Sequence, residues 1–331
     1  MSTAHETLPR GTRLFITGGT GFVGRTLLRA VLDPSLRLVA NDIRITILSR
    51  TPDRFLAEHP ALARDKRIDW VQGDVRSFLA PQERYTHVIH AATDTSAAAA
   101  QRPLELIDEI VSGTRRVLDF AARCSAQKVV FTSSGSVYGS QPAQVERLEE
   151  TFSGAPDPAD PASASGQAKR LAEQLCAIAY HESRLPVKVA RLFAFVGEEL
   201  PLDAHFAIGN FIRDAVAGRP IDVQGDGSPV RSYLYGGDLA AWLVTILERG
   251  RPNRPYNVGS DQAISIADLA HRVADLVAPG TPVRIAGRRA DYAGRLRYVP
   301  SIERTKADLG LLVETPLDEA IRRTAAWHRR I

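Results

Sequence analysis

Apolar residues follow two alternating patterns along the first part of the chain. Short continuous apolar runs predict buried strands, whereas apolar residues at helical spacing predict amphipathic helices. The predicted strands are residues 13–17, 45–48, 68–71, 87–90, 128–132 and 187–192, and the predicted helices are residues 22–32, 104–122 and 167–182. Strands that alternate with helices are typical of parallel sheets with right-handed crossovers. We therefore expect an α/β fold with a doubly wound parallel sheet of the Rossmann type.

The pattern becomes less regular after residue 192. The sequence there predicts helices at residues 206–217, 266–277 and 316–329, and short strands at residues 233–234 and 256–258. Residues 141–165 are rich in Pro, Ala, Asp and Ser, which predicts a surface loop near the end of the fifth strand. We expect a dinucleotide-binding domain at residues 1–192 and a smaller C-terminal α/β substrate lobe at residues 193–331, with some of its chain returning to the core.

Composition and charge narrow the class of protein. The 331 residues are 44% hydrophobic and 24% charged, as in globular proteins, and no apolar stretch is long enough to span a membrane. Residues 1–13 lack the apolar core of a secretory signal, so we expect a cytoplasmic protein with reduced Cys124 and Cys176. The net charge of +4 is spread along the chain, which favours a small anionic ligand over nucleic acid. The histidines show no metal-ligand spacing, so we expect no metal.

A glycine-rich turn lies between the first predicted strand and the first predicted helix. Residues 18–24 read Gly-Gly-Thr-Gly-Phe-Val-Gly. In such a turn one glycine makes the tight bend, one lets a pyrophosphate approach the backbone, and one lets helix and strand pack closely. The pyrophosphate then lies at the N-terminus of the helix. The expected dinucleotide contacts are Gly18, Gly21, Phe22, Val23 and Gly24.

The end of the second predicted strand indicates which nicotinamide cofactor fits. An acidic residue there would bind the ribose 2′-hydroxyl of NAD, whereas an arginine accommodates the 2′-phosphate of NADP. The strand ends in Ser49-Arg50. We therefore favour NADP(H) over NAD(H), with Ser49 and Arg50 as cofactor contacts. The alternative is that Arg50 is a solvated surface charge.

Several further motifs follow in a characteristic order. They are Gly73-Asp74-Val75, His90-Ala91-Ala92, the run from Thr132 to Gly139, Arg191 to Gly197, Gly225 to Arg231, and Tyr256-Asn257-Val258-Gly259. In this order they resemble the extended short-chain dehydrogenase/reductases, and among them the NAD-dependent epimerase/dehydratase family that acts on nucleotide sugars. The resemblance runs from residue 14 to about residue 330. It implies cofactor contacts from Asp74, Val75, Ala91, Ala92 and Lys169.

The same resemblance implies catalytic and substrate-binding roles. Ser134 matches the catalytic hydroxyl that also binds the substrate, and Lys169 matches the catalytic lysine that holds the nicotinamide ribose. Arg231 matches the residue that contacts the diphosphate of the nucleotide sugar. Thr93 is a further expected substrate contact, and Asn210 is a candidate contact to the nucleotide.

One position departs from the family pattern at its most important residue. The family places a tyrosine four residues before the lysine, but here Lys169 is preceded by Ser165. A phenol has a reference pKa near ~10 that a neighbouring ammonium lowers, whereas an aliphatic alcohol is a far weaker acid. Ser165 occupies the catalytic position and cannot shuttle a proton in the same way. Three explanations remain open: an engineered inactivating substitution, a natural change with Tyr138 or a water carrying the proton, or the loss of redox chemistry.

A second departure bears on the type of reaction. The 4,6-dehydratases of the family place Asp-Glu directly after the catalytic hydroxyl residue, whereas Ser134 is followed by Gly135-Ser136. A 4,6-dehydratase is therefore disfavoured, and Arg50 favours a reductase that uses NADP(H). We expect reduction of a nucleotide-diphosphate 4-keto-6-deoxyhexose. The alternatives are a nucleotide-sugar epimerase and a catalytically silent protein that binds cofactor or sugar nucleotide.

The two longest predicted helices, residues 104–122 and 167–182, carry apolar stripes. The plain interpretation of such stripes is core packing. In the family that the chain resembles, the same two helices form the seam of a dimer. We therefore also expect a homodimer.

Overall fold

The computed structural model describes residues 7–33, 36, 38–40, 42–204, 206–287 and 296–330. The strands in these segments are β1 (Arg13–Thr17), β2 (Arg44–Ser49), β3 (Ile68–Gln72), β4 (His87–His90), β5 (Lys128–Ser134), β6 (Val187–Leu192), β7 (Phe195–Val196), β8 (Ile221–Val223), β9 (Val230–Arg231), β10 (Leu234–Tyr235), β11 (Pro255–Val258), β12 (Ile264–Ser265), β13 (Val283–Ile285) and β14 (Arg297–Tyr298). The α-helices are α1 (Phe22–Leu32), α2 (Pro52–Glu58), α3 (Pro60–Arg64), α4 (Ala97–Ala100), α5 (Pro103–Arg123), α6 (Ala164–Ser183), α7 (Ala207–Val216), α8 (Gly236–Arg249), α9 (Ile266–Val277), α10 (Glu303–Leu309) and α11 (Leu317–His328).

The main sheet has seven parallel strands in the order β11-β6-β5-β4-β1-β2-β3. Ile16 of β1 pairs with Ile47 on one side and Ile89 on the other, and all three side chains are buried. Apolar strands buried on both faces are typical of parallel sheets covered by helices. The strand order reverses between β1 and β4, which is the position where doubly wound folds bind their ligands. The predicted Rossmann-type fold is confirmed.

Helix α6 begins earlier than the sequence predicted. A 3-10 turn covers Pro161–Ser163 and α6 follows at Ala164. The side chain of Asp160 accepts a hydrogen bond from the backbone N–H of Ala162 and so caps this turn. The loop predicted for residues 141–165 is therefore wrong at its end, because capping and the helix propensity of alanine act where no apolar periodicity is present. Ser165 consequently lies in the first turn of α6.

Helix α8 escaped the sequence prediction. It starts with Gly236-Gly237, two poor helix formers, and it is buried on nearly all sides. A helix buried all round lacks the polar face that makes amphipathic periodicity visible. α8 packs against α1 and against β5 and β6, so the C-terminal half of the chain completes the main core.

The rest of the C-terminal half forms a smaller α/β layer. Helices α7, α9 and α11 share an apolar cluster with β8 and β10. β7 follows shortly after the carboxyl end of β6 and pairs with β10, while β9 lies between β12 and β14. β11 returns to the main sheet beside β6. The boundary at residue 192 stays a prediction.

Candidate active site

The glycine turn between β1 and α1 is closed by contacts that leave no room for side chains. Gly18 has φ +75°, and a Cβ on it would lie 2.5 Å from the backbone carbonyl of Ala91. A Cβ on Gly24 would lie 2.3 Å from the carbonyl oxygen of Gly18. Gly21 is different, because a Cβ there would meet only Gly18 O at an ordinary 3.5 Å. No contact within the protein therefore requires glycine at position 21, which is the N-cap of α1. A glycine there is consistent with a ligand that approaches the helix N-terminus closely.

A cavity of about 470 Å³ opens over this turn at the carboxyl ends of β1, β2 and β4. It brings together nine of the predicted contacts: Gly18, Gly21, Ser49, Arg50, Asp74, Val75, Ala91, Ala92 and Thr93. It is also lined by residues that were not predicted as ligand contacts, which are Thr20, Leu48, Gly73, Asp94, Thr95, Ser96, Glu109, Pro201, Ala204 and Phe206. The position at the switch point, the size and the glycine floor all fit a dinucleotide.

Acidic residues surround Arg50 at the β2 end of the cavity. The Arg50 side chain is 63% exposed, with its guanidinium 3.8 Å from Glu109 and 4.0 Å from Asp94. Asp74 is engaged by Arg76 at 2.9 Å, and this hydrogen bond holds the pKa of the Asp74 carboxyl below its usual range. A ligand phosphate at Arg50 would therefore have carboxylates nearby. Glu109 comes from α5, far along the chain, so no local motif marks it.

His90 fixes the segment that forms one wall of the cavity. Its Nδ1 is 2.7 Å from Thr17 Oγ1 and its Nε2 is 3.1 Å from Thr114 Oγ1. Burial, together with the charge of Lys169, lowers the pKa of His90 to about 3, so its ring is neutral. Thr17 Oγ1 also accepts a hydrogen bond from the N–H of Ala92. The buried histidine is therefore a positioning residue for the cavity wall.

Lys169 lies in the first half of α6 with its ammonium directed at β5. Its Nζ donates a hydrogen bond of 2.7 Å to the carbonyl of Thr132 and lies 4.6 Å from the centre of the Phe131 ring. The residue is 4% exposed, and burial lowers the pKa of its ammonium from 10.5 to about 7. A lysine with such a pKa changes protonation state near neutral pH, as is typical of functional sites.

The two predicted catalytic serines lie on the two elements that Lys169 connects, Ser134 on β5 and Ser165 on α6. Ser134 ends β5, and its Oγ accepts a hydrogen bond from the N–H of Ser136 in the 3-10 turn Gly135–Tyr138 that follows. Ser165 is half-buried and lies one helical turn before Lys169, so both side chains share one face of α6. Gly166 lets the first turn of α6 approach the 3-10 turn Gly135–Tyr138, which follows Ser134 and is called the catalytic loop below, since a Cβ on Gly166 would lie 2.8 Å from Ser136 O.

A network of polar side chains lies against β5, the strand that ends in Ser134. Glu173 accepts hydrogen bonds from Ser133 and from Arg191, whose Nη2 lies 2.6 Å away. Arg191 also donates to the hydroxyl of Tyr138, and that hydroxyl donates to Asn257 at 2.8 Å. Burial raises the pKa of Tyr138 to about 12. Because its hydroxyl is enclosed and bonded on both sides, Tyr138 is poorly suited to carry the missing proton.

Seven predicted contacts lie outside the lining of the cavity: Phe22, Val23, Gly24, Ser134, Lys169, Asn210 and Arg231. Phe22 and Val23 form the first turn of α1, and the Phe22 ring faces Phe195 at 6.2 Å. Asn210 lies on α7. Arg231 lies on β9, and its Nη1 donates to the carbonyl of Val230. The last two belong to the C-terminal layer, where a nucleotide sugar is expected.

Comparisons with known proteins agree with this geometry. The model of the NAD dependent epimerase/dehydratase family matches residues 14–259. UDP-glucuronic acid decarboxylase 1 of Xenopus tropicalis is 26% identical over 319 residues, 96% of this chain and 72% of the relative. The structure of DesIV, a dTDP-glucose 4,6-dehydratase of Streptomyces venezuelae with NAD and TYD bound, is 24% identical, with a TM-score of 0.81 over 96% of this chain and 97% of that one. UDP-glucose 4-epimerase of Thermotoga maritima with UDP-glucose gives a TM-score of 0.81 at 18% identity, over 96% of this chain and 99% of that one. The chain belongs to the NAD dependent epimerase/dehydratase family of enzymes.

Proposed function

We propose that this protein is an NADP(H)-dependent oxidoreductase that reduces the 4-keto group of a nucleotide-diphosphate 6-deoxyhexose. The observation that carries the proposal is the environment of Lys169. Its ammonium is buried near the carboxyl end of β5, where it donates to the carbonyl of Thr132, two residues before Ser134, and its charge helps to lower the pKa of the buried His90 ring. A buried lysine with a pKa of about 7 is poised to bind a ribose and to stabilise negative charge.

The residues of the chain have separate tasks in this reaction. When bound, the reduced nicotinamide supplies a hydride to the carbonyl carbon. The Ser134 hydroxyl donates a hydrogen bond to the carbonyl oxygen, and protonated Lys169 stabilises the negative charge that develops there. Arg231 holds the diphosphate, Asn210 contacts the nucleotide, and Thr93 contacts the substrate beside the cavity. Ser165 is too weak an acid to complete the step.

Arg50 supports the preference for NADP(H). It is the guanidinium that lines the cavity at the end of β2, where the 2′-substituent of the adenosine ribose is expected. A dianionic phosphate would compete favourably for Arg50 with the carboxylates of Asp94 and Glu109, which lie 4.0 and 3.8 Å from its guanidinium, since charge-assisted hydrogen bonds from arginine to phosphate are shorter and bidentate.

The exposed face of α6 supports the proposed homodimer. The stripe on α5 is core, because Leu106, Ile110 and Val117 are buried. On α6, however, Leu171 is 44% exposed and Ile178 is 43% exposed. We expect Leu171→Glu with Ile178→Glu to shift the mass measured by light scattering from dimer to monomer, while an unchanged mass would remove this part of the proposal.

Nicotinamide absorbance over time tests the proposed reduction. Wild-type protein and Ser165→Tyr each receive NADPH and a panel of nucleotide-linked 4-keto sugars, with Lys169→Met as the matched inactive control. We expect NADPH consumption that Ser165→Tyr accelerates and Lys169→Met abolishes. If neither the wild type nor Ser165→Tyr consumes NADPH with any sugar, the reductase proposal is wrong.

A second candidate is chemistry on an intact nucleotide sugar that begins with oxidised NAD. It is favoured by the relatives named UDP-glucuronic acid decarboxylase, which match more than nine-tenths of the chain at 25–26% identity. Incubation with UDP-glucuronic acid or UDP-glucose and NAD, followed by product analysis, separates this candidate from the reductase. Tight binding of the ligands without any product in either assay would indicate a catalytically silent binding protein.

A further inference from the structure

The presence of Ser165 leaves the proposed reduction without the acid that protonates the carbonyl oxygen. A phenol has the acidity that this step uses in the family, so another tyrosine of the chain is the natural substitute. The sequence has eight, of which Tyr292 lies outside the described residues. Four donate their hydroxyl protons to other side chains: Tyr85, Tyr138, Tyr235 and Tyr256. Tyr180 lies near the far end of α6, and Tyr233 is buried with a raised pKa.

Tyr298 on β14 lies against the catalytic loop. Its hydroxyl is so close to Gly135, the residue after Ser134, that a Cβ on this glycine would lie 2.5 Å from the phenol oxygen. The hydroxyl also donates to the carbonyl of Leu192 at 3.4 Å. Leu192 is the register partner of Ser134 in the β5–β6 ladder. Since neighbouring strands are ~4.8 Å apart, the phenol reaches the level of the catalytic serine at the carboxyl edge of the sheet.

The packing around Gly135 makes this approach specific. The rings of Tyr298 and Phe193 lie 4.6 Å apart and are tilted by 31° to one another, and both fill the space that a side chain at 135 would occupy. Tyr298 is half-buried, so its ring is held by packing while part of the side chain stays accessible. Because glycine at 135 has no side chain, the phenol of Tyr298 can lie directly against the loop that follows Ser134.

Tyr298 also lies beside Arg231, the predicted contact to the substrate diphosphate, on the neighbouring strand. In the β9–β14 pair, Tyr298 is the register partner of Arg231. Directly paired residues of neighbouring strands point to the same face of a sheet. Tyr298 thus has its hydroxyl beside Gly135, the neighbour of Ser134, and its backbone beside Arg231. Ser134 and Arg231 are the residues proposed to bind the carbonyl oxygen and the diphosphate of one substrate.

We propose that Tyr298 donates the proton that the family's tyrosine would otherwise deliver. The inference rests on the proposed reductase function. The carbonyl carbon gains a hydride, which the reduced nicotinamide supplies, and the C=O double bond becomes a single bond. The O–H bond of Tyr298 breaks as a new O–H bond forms on the former carbonyl oxygen. The tyrosinate then recovers a proton from water, so the products are the alcohol and the oxidised cofactor.

The experiment compares four proteins: wild type, Tyr298→Phe, Ser165→Tyr, and the double variant with both changes. Phenylalanine keeps the ring contact with Phe193, and Tyr180→Phe is the matched control for loss of a phenol elsewhere. We measure kcat with NADPH and the 4-keto sugar panel, the alkaline limb of the pH profile, and calorimetric affinity for the nucleotide sugar. We expect Tyr298→Phe to lower kcat by ~10²–10⁴-fold, while the alkaline limb that follows from loss of the Lys169 proton remains, with affinity and the Tyr180→Phe control unchanged.

The Ser165→Tyr background separates proton donation from a structural role. Once the family's tyrosine is restored, adding Tyr298→Phe should lower kcat by less than about tenfold, or ~1.4 kcal/mol. An equal loss in both backgrounds, or a parallel loss of affinity, would show a structural or binding role and overturn the inference. Inactive wild type with active Ser165→Tyr would overturn it too, but would leave the reductase function standing. Four inactive proteins would overturn both.

Discussion

The dinucleotide half and the reacting half of the proposed site are built in different ways. At the cavity over β1, the floor is the glycine turn, where a side chain at Gly18 or Gly24 would collide with backbone atoms. At β5 and α6, the geometry depends on charged side chains that are buried, as Lys169 is, or mostly buried, as Glu173 and Arg191 are. A backbone-built half depends on a few glycines, whereas a half built from buried charges depends on every member of its network. The substitution at Ser165 falls in the second half and leaves the first intact.

The largest effect in this comparison is expected from Glu173→Gln. The change leaves the buried guanidinium of Arg191 without its carboxylate partner, which we expect to lower the free energy of unfolding by about 3–5 kcal/mol. Urea unfolding measures it, with Glu182→Gln on the exposed end of the same helix as the control. A loss no greater than that of the control would mean that the network does not hold the reacting half.

Lys169→Met should change how stability depends on pH. The pKa of Lys169 is about 7 in the folded protein and 10.5 ordinarily, so between these pH values the unfolded chain binds more protons than the folded one. The cost of burying the charged ammonium therefore falls as pH rises. At ~1.4 kcal/mol per pKa unit, the free energy of unfolding of the variant should exceed that of the wild type by several kcal/mol below about pH 7 and by little above about pH 10. Unfolding at both pH values checks this, with exposed Lys66→Met as the control for loss of charge. A pH-independent gain would contradict the burial argument.

Two glycines of the same turn should separate folding from binding. Gly24→Ala places a methyl group against the Gly18 carbonyl and should lower the free energy of unfolding by about 1–3 kcal/mol. Gly21→Ala should leave stability within about 0.5 kcal/mol, yet weaken dinucleotide binding by more than about tenfold. Thermal unfolding and calorimetric titration measure the two quantities. Unchanged dinucleotide affinity in Gly21→Ala would mean that the pyrophosphate lies elsewhere.

The smallest effect is expected at Arg50. Arg50→Ala should weaken NADPH binding by about tenfold, through loss of charge-assisted hydrogen bonds, and leave NADH binding nearly unchanged. Arg54→Ala, on the exposed face of α2, is the control. If both cofactors weaken equally, or if NADH binds more tightly to the wild type, the preference for NADP(H) is wrong while the dinucleotide site remains.

Local pattern was sufficient where the structure depends on neighbouring residues. The glycine turn, the strand ends at Ser49 and Ala91, and most elements of the main sheet follow from periodicity and motif placement. α8 was missed because a helix buried on all sides shows no amphipathic pattern. The helical start before Ser165 was missed because capping, not apolar spacing, determines it.

Contacts between distant segments could not be read from the sequence. Glu109 reaches the cavity from α5, and Tyr298 reaches the catalytic loop from a strand that begins more than a hundred residues later. No short motif links such positions, because they meet only when the C-terminal layer folds onto the sheet. The chemistry of the reacting half therefore became visible only with the fold.

The most direct test of the account is calorimetric titration of dinucleotide and nucleotide-diphosphate sugar into one protein. The central claim is that the cavity over β1 binds a dinucleotide and that a nucleotide-diphosphate sugar binds beside it, at Ser134 and Arg231. We predict that both NADPH and a nucleotide-diphosphate sugar bind, that Gly21→Ala weakens the first alone, and that Arg231→Ala weakens the second alone. Binding of the dinucleotide with no detectable binding of any nucleotide sugar would contradict the account and indicate a protein that senses cofactor.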